Sequence, residues 1–193
     1  GRAQKEVAAE LACLNLVRLT RITPDISPQI ADRGGIVPLV RLLSNGTPGA
    51  AQQAACVIAE LALVPRNRDA IAEAGGIAKL VGVLAGFSAN SLKESTLVQL
   101  MTLAASAIKE MAKDNRFNQD AITEAGAIPS LVTMLTAPVQ LMQANAAGAL
   151  ANLARNHQIN QAAIAKTGAV APLCTLVREG SPETKDQSAS ALW

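Results

Sequence analysis

The stretch I-A-D-R-G-G-I-V-P-L-V-R-L-L, Ile30 to Leu43, decides the fold because it comes back three more times. It returns as I-A-E-A-G-G-I-A-K-L-V-G-V-L (Ile71 to Leu84) and as I-T-E-A-G-A-I-P-S-L-V-T-M-L (Ile122 to Leu135). The last copy is I-A-K-T-G-A-V-A-P-L-C-T-L-V (Ile164 to Val177). The leading glycines, Gly34, Gly75, Gly126 and Gly168, are spaced by 41, 51 and 42 residues. A period of about 42 residues is the mark of a stacked helical repeat. Such a solenoid offers a long surface and no closed pocket, which points to holding another protein.

One unit, Asn118 to Asn156, shows how the repeat is built. Asn118 is expected to cap a short helix, with Asp120 and Glu124 near it and Ile122 and Ala125 facing inward. Gly126 falls just past that helix, where a positive φ is wanted and glycine adopts it without a Cβ penalty. Pro129 suits the first turn of a second helix, since its missing N–H costs nothing there. Leu131, Val132 and Leu135 follow at helical spacing, and Thr136-Ala137-Pro138 ends that helix. A third helix is expected over 138–154, with Leu141, Ala144, Ala147, Leu150, Ala151 and Leu153 as its apolar set. Asn67 and Asn160 take the place of Asn118 in two other units; Ser27-Pro28 is read as a cap and first-turn proline before Ile30. Ser181-Pro182-Glu183 opens another third helix.

The string N-Q-D-A-I-T-E-A-G-A-I-P-S-L-V-T-M-L, followed by A-A-G-A-L-A-N-L-A (Ala146 to Ala154), resembles an armadillo repeat. Two-helix HEAT repeats usually lack the G-A-I-P-x-L-V turn. The resemblance implies an all-α, right-handed α-solenoid of three-helix repeats, whose third helices line a concave groove. Relatives such as β-catenin and importin-α bind extended partners there. The units are expected at 1–23 (a third helix only), 24–65, 66–114, 115–156 and 157–193, the last stopping within its third helix. Polar capping units are expected at true solenoid ends. Their absence suggests a piece of a longer array whose uncapped faces associate end to end.

One unit is out of register. Gly75 to Glu110 is 35 residues, against 26 for Gly34 to Glu60 and for Gly126 to Asn152. The surplus lies within Gly86 to Gln99 and reads as a rim loop or a lengthened helix. It is either a tolerated insertion or a partner contact built around Phe87.

In the armadillo family an asparagine on each third helix faces the groove and holds the partner's backbone. Alignment puts that position at Asn152, with Glu60 and Glu110 as its counterparts. Earlier turns of the same face carry Ser106, then Gln53 and Asn145, and Gln187 continues the row. The departure from asparagine, and the missing tryptophan array, weigh against an importin-α-like transport adaptor. An amide donates and accepts, whereas a carboxylate only accepts. The row is either a solvated face or a groove for a peptide with one or two basic residues. A second set, Arg18, Arg21, Arg66, Arg68, Lys113, Arg116 and Arg155, follows third helices. It either complements helix C-termini or forms a basic ridge for an acidic partner or membrane headgroups.

Composition narrows the rest. The 193 residues are 50% hydrophobic and 2% aromatic, so the core is Ala, Leu, Ile and Val. A net charge of +2 without a basic stripe or stacking aromatics argues against nucleic acid. Cys13, Cys56 and Cys174 are odd in number and far apart, as expected of reduced thiols in an intracellular protein, cytoplasmic or nuclear. No apolar run is long enough to span a membrane. His157, the single histidine, sits in a polar turn, and no nucleophile, metal or phosphate motif accompanies it. No catalytic, metal or cofactor residues are assigned. The expected role is a non-enzymatic scaffold for a protein or peptide. The other reading is the targeting segment of a larger enzyme such as a ubiquitin ligase.

Overall fold

The computed structural model describes the backbone of residues 2–23, 25–87 and 93–193, with side chains except at 2, 3, 5 and 6. Among the described residues there are thirteen helices and no strand. The chain opens with one long helix, α1 (Arg2–Ile22). Four triplets follow. The first is α2 (Ile26–Asp32), α3 (Ile36–Asn45) and α4 (Pro48–Ala62). The second is α5 (Pro65–Glu73), α6 (Gly76–Ala85) and α7 (Ser95–Ala112). The third is α8 (Arg116–Glu124), α9 (Ala127–Met134) and α10 (Gln140–Ala154). The last is α11 (Gln158–Lys166), α12 (Val170–Glu179) and α13 (Pro182–Leu192). The third helices α1, α4, α7, α10 and α13 pack side by side in chain order. One apolar cluster runs unbroken from Cys13 to Leu176, as it must where each unit buries its face only against its neighbours.

The recurrent glycines sit where the periodicity places them. Gly34, Gly75, Gly126 and Gly168 have φ of 75°, 78°, 85° and 86°. At Gly75 an added Cβ would meet nothing within 4 Å. Backbone conformation, not crowding, is therefore what requires glycine there. Ile71, Ile122 and Ile164 are buried in the first helices of their triplets. Each full burial of such a side chain is worth about 1.5–3 kcal/mol.

The asparagines of the first helices do something other than cap them. The N-cap of α8 is Asn115, whose side chain accepts from the Asn118 N–H. Asn118 lies inside the helix, buried, and its Nδ2 donates to the Met111 carbonyl at the end of α7, 3.1 Å away. Asn67 donates likewise to Leu61 and Asn160 to Leu153. The next residue adds a second staple: Arg68 to the Ala62 carbonyl, Gln119 to Ala112 and Gln161 to Ala154. The last carbonyls of an α-helix have no partner within the helix. Here the following unit supplies the missing donors. Ser27-Pro28 is no cap either: α2 starts at Ile26, and Ser27 is buried inside it. Ser181 does cap α13, accepting from the Thr184 N–H.

Two further expectations shift. The third helix of the 115–156 unit begins at Gln140, not Pro138, and Leu141 is exposed while the other expected core positions are buried. In the long unit, α7 has 18 residues against 15 in α4 and in α10. Part of the surplus thus lengthens the third helix. Residues 88–92, the middle of the insertion, lie outside the described residues. Phe87 is half-buried and packs against the core, so it is not a free rim contact. On α1, Cys13 and Val17 are buried while Val7, Leu11 and Leu14 are exposed, so only one side of this helix is packed.

Candidate functional site

Because consecutive third helices are neighbours, residues far apart in sequence form one polar row across them. On α4, Gln53 and Glu60 are half-buried; on α7, Ser106 and Glu110 are; on α10, Asn152; and on α13, Gln187. Asn145 belongs to the same row but is only 4% exposed. Its Nδ2 donates to the Thr102 carbonyl at 3.1 Å, and its Oδ1 accepts from Lys109 Nζ at 3.5 Å. Asn145 therefore lies beneath the surface of the row. Asn152 Nδ2 donates to the Lys109 carbonyl at 2.8 Å, near the end of α7. One of its two amide hydrogens is thus already used.

The two carboxylates of the row have cations beside them. Arg21, in the last turn of α1, reaches across to α4, with Nε 3.2 Å from Glu60 Oε1 and Nη2 3.7 Å from Cys56 Sγ. The hydrogen bond to Glu60 raises the guanidinium's pKa above its ordinary value. Burial raises the Cys56 thiol, more than the nearby guanidinium lowers it, which leaves it a poor nucleophile. On α7, Lys109 Nζ lies 3.6 Å from Glu110 Oε1, the side chains being 20% and 14% exposed. Neither distance around Lys109 Nζ reaches the 2.7–2.9 Å typical of a charge-assisted hydrogen bond.

Sequence reasoning read Arg21 either as a complement to a helix C-terminus or as part of a basic ridge, and passed over Lys109. Both belong to the row. The signal for Lys109 was its position directly before Glu110; Arg21 gave none, since its partner lies 39 residues away. The floor beneath Lys109 is Gly148 of α10. A Cβ there would come within 2.7 Å of Lys109 Cδ and 2.6 Å of Gln187 Oε1. Glycine allows the side chains of α7 and α13 to lie over α10. Between α4 and α7 a further link runs from Gln52 Nε2 to Gln99 Oε1 at 2.6 Å.

Three of the remaining arginines, Arg66, Arg68 and Arg116, are already engaged within the chain. Arg68 is buried, with Nε on the Ala62 carbonyl and Nη1 on the Lys113 carbonyl. Arg66 pairs with Asp32, and Arg116 with Asp120. Asp120 also accepts from His157 Nε2 at 2.7 Å, which holds its carboxyl below the usual range. His157 Nδ1 accepts from the Asn160 N–H, so this histidine is the N-cap of α11. The edge carries both signs of charge in close alternation. Cys13 and Cys56 are buried and Cys174 half-buried, and all three are free. Among the described residues no group of three or more His, Cys, Asp or Glu is placed to hold a metal. Nor is any described helix long and apolar enough to cross a membrane.

Residues 114–155 match the family model of the Armadillo/beta-catenin-like repeat. Among solved structures, an engineered protein superimposes with a TM-score of 0.84 at 28% identity, covering 95% of this chain and 71% of that one. A second engineered protein, 29% identical with a TM-score of 0.84, covers 95% of this chain, which in turn spans 43% of its length. A designed armadillo repeat protein in complex with the peptide (KR)4 shares the fold with a TM-score of 0.81 at 24% identity, over 94% of this chain and 72% of that one. No curated protein matches the sequence.

Proposed function

We propose that this chain, an all-α solenoid of three-helix repeats with the armadillo fold, is a non-enzymatic scaffold holding an extended peptide segment along α4, α7 and α10. The observation carrying this reading is the row itself. Three adjacent helices present Glu60, Glu110 and Asn152 at one structural position, partly exposed and only partly satisfied. α4, α7 and α10 each end with carbonyls stapled by the first helix of the next unit, so Glu60 and Glu110 are not needed to close the helices, and Asn152 spends only one amide hydrogen on the end of α7. An extended chain rises about 3.3 Å per residue. Packed helices stand about 8–10 Å apart. A peptide crossing three of them in an extended form therefore meets a new helix every two to three residues or so.

The designed protein mentioned above holds (KR)4, but its likeness to this chain supports the fold alone. Whether the ligand here is basic depends on this chain's own charges, and each carboxylate has a cation at hand. A role as the recognition segment of a larger enzyme adds no different demand on the row.

Peptide-array or display selection against the folded chain tests the reading. Selected peptides should lose affinity when Asn152 is changed to Ala and when Glu110 is changed to Gln. They should keep it when Arg66, which lies in the first turn of α5 and pairs with Asp32, is changed to Ala. Selections that respond to Arg66 and ignore both row residues would place the binding surface elsewhere.

A further inference from the structure

At the position shared by Glu60, Glu110 and Asn152, the two helices that lack asparagine carry a carboxylate together with a cation. Glu60 has Arg21 at 3.2 Å, and Glu110 has Lys109 at 3.6 Å. Asn152, the one aligned asparagine on these three helices, has its amide on the Lys109 carbonyl instead. The two cations arrive differently. Arg21 comes from the neighbouring helix, whereas Lys109 comes from the same helix one residue before its partner. Opposite charge beside each carboxylate is thus the common outcome of two unrelated placements.

An asparagine amide offers one donor group and one acceptor to a passing peptide unit. A carboxylate beside an ammonium or guanidinium offers the same pair: the carboxylate accepts the peptide N–H and the cation donates to the peptide C=O. The Lys109–Glu110 pair has capacity to spare. An ammonium carries three donors and a carboxylate about four acceptor sites. The contacts of Lys109 Nζ to Asn145 Oδ1 and Glu110 Oε1 are 3.5 and 3.6 Å, both long. An incoming Lys or Arg would have to share each carboxylate with a resident cation, and an incoming Asp or Glu would meet a resident carboxylate.

We propose that Arg21–Glu60 and Lys109–Glu110 are zwitterionic rungs. They hold the main chain of an extended peptide that carries no run of like charge, and they reject peptides rich in either sign. The proposal rests on the groove reading above and specifies what that groove selects.

The experiment is fluorescence-anisotropy titration at low salt with three labelled octapeptides: (KR)4, (DE)4 and the uncharged (SQ)4. The whole chain is compared with two double variants, Arg21→Gln/Lys109→Gln and Glu60→Gln/Glu110→Gln. Glutamine keeps hydrogen-bonding groups and removes the charge, isosterically at the two glutamates and with a shorter side chain at Arg21 and Lys109. The unaltered chain should bind (SQ)4 at least as well as either charged peptide. Removing the cations should raise (KR)4 affinity tenfold or more, and removing the carboxylates should do the same for (DE)4. A charge-retaining variant, Arg21→Lys/Lys109→Arg, should leave the discrimination unchanged, which controls for effects on folding. If the unaltered chain holds (KR)4 as tightly as the cation-free variant does, the rungs are refuted while the groove stands. If no peptide binds any variant, rungs and groove fall together.

Discussion

Asn118 and Asn152 carry the same amide, and each donates it to a carbonyl in the last turn of α7, Met111 and Lys109 respectively. Their surroundings separate them. Asn118 is fully buried in the first helix of the unit that follows α7, seven residues beyond its acceptor. Asn152 comes from the next third helix, 43 residues on, and remains partly exposed. The first is a staple that lets α7 end inside the protein. The second links two third helices and still presents amide capacity on the polar row. Residue type did not determine the role; depth and the identity of the acceptor did.

The largest test of that contrast is Asn118→Ala. It removes a buried donor and leaves the Met111 carbonyl unpaired away from water, a loss of about 1–3 kcal/mol. Chemical denaturation followed by circular dichroism should show it, and a loss below a few tenths would mean that the staple is dispensable.

Gly126→Val should cost at least about 1 kcal/mol. Its φ of 85° is hostile to a β-branched residue even though a Cβ would meet nothing within 4 Å. Gly82→Ala, also with open space and lying inside α6, should instead be neutral or stabilising by up to about 1 kcal/mol. Equal effects at the two glycines would contradict the helix boundaries.

His157→Ala should cost about 1 kcal/mol by removing the N-cap of α11. His157→Asn should recover most of it. Asn115 already does the same work one unit earlier, capping α8 through its Oδ1 and donating to Asp69 at 2.8 Å. If asparagine fails to rescue, the cap is not what His157 contributes.

Asn152→Ala should cost the least stability, about 0.5–1 kcal/mol, because water reaches the site and replaces part of the lost bond. A stability loss as large as that at Asn118 would show that Asn152 is a second staple and would weaken the groove reading.

Acid gives a finer reading of the edge. The hydrogen bond from His157 lowers the Asp120 pKa in the folded protein. Its stabilisation is therefore complete above the unfolded value of about 3.9 and lost as pH falls through the lowered folded one. The Asp120 carboxyl, followed by NMR, should titrate below that reference in the native chain and return towards it in His157→Ala.

Much of this molecule was legible before any coordinates. Four glycines recurring in the same sequence context fixed the turns, because only a few residues tolerate φ near +80°. Ile, Leu and Ala at helical intervals fixed the faces that must be buried. Serine before proline fixed the start of α13. These are local facts, settled by the backbone and by one helix's own periodicity. The first-helix asparagines were misread because an Asn ahead of an apolar run is an ordinary N-cap signal. That each reaches back to the preceding helix depends on how the chain turns between them. Arg21 and Glu60 lie 39 residues apart, and no pattern in the sequence marks them as a pair. Stacking of the third helices alone brings them together. The sequence by itself determined a helical repeat and the positions that face outward. The tertiary structure decided which of those polar groups are consumed in holding units together and which retain charge and hydrogen-bonding capacity for a partner. Satisfaction of a polar group is a property of its neighbours in space, and those neighbours come from other repeats.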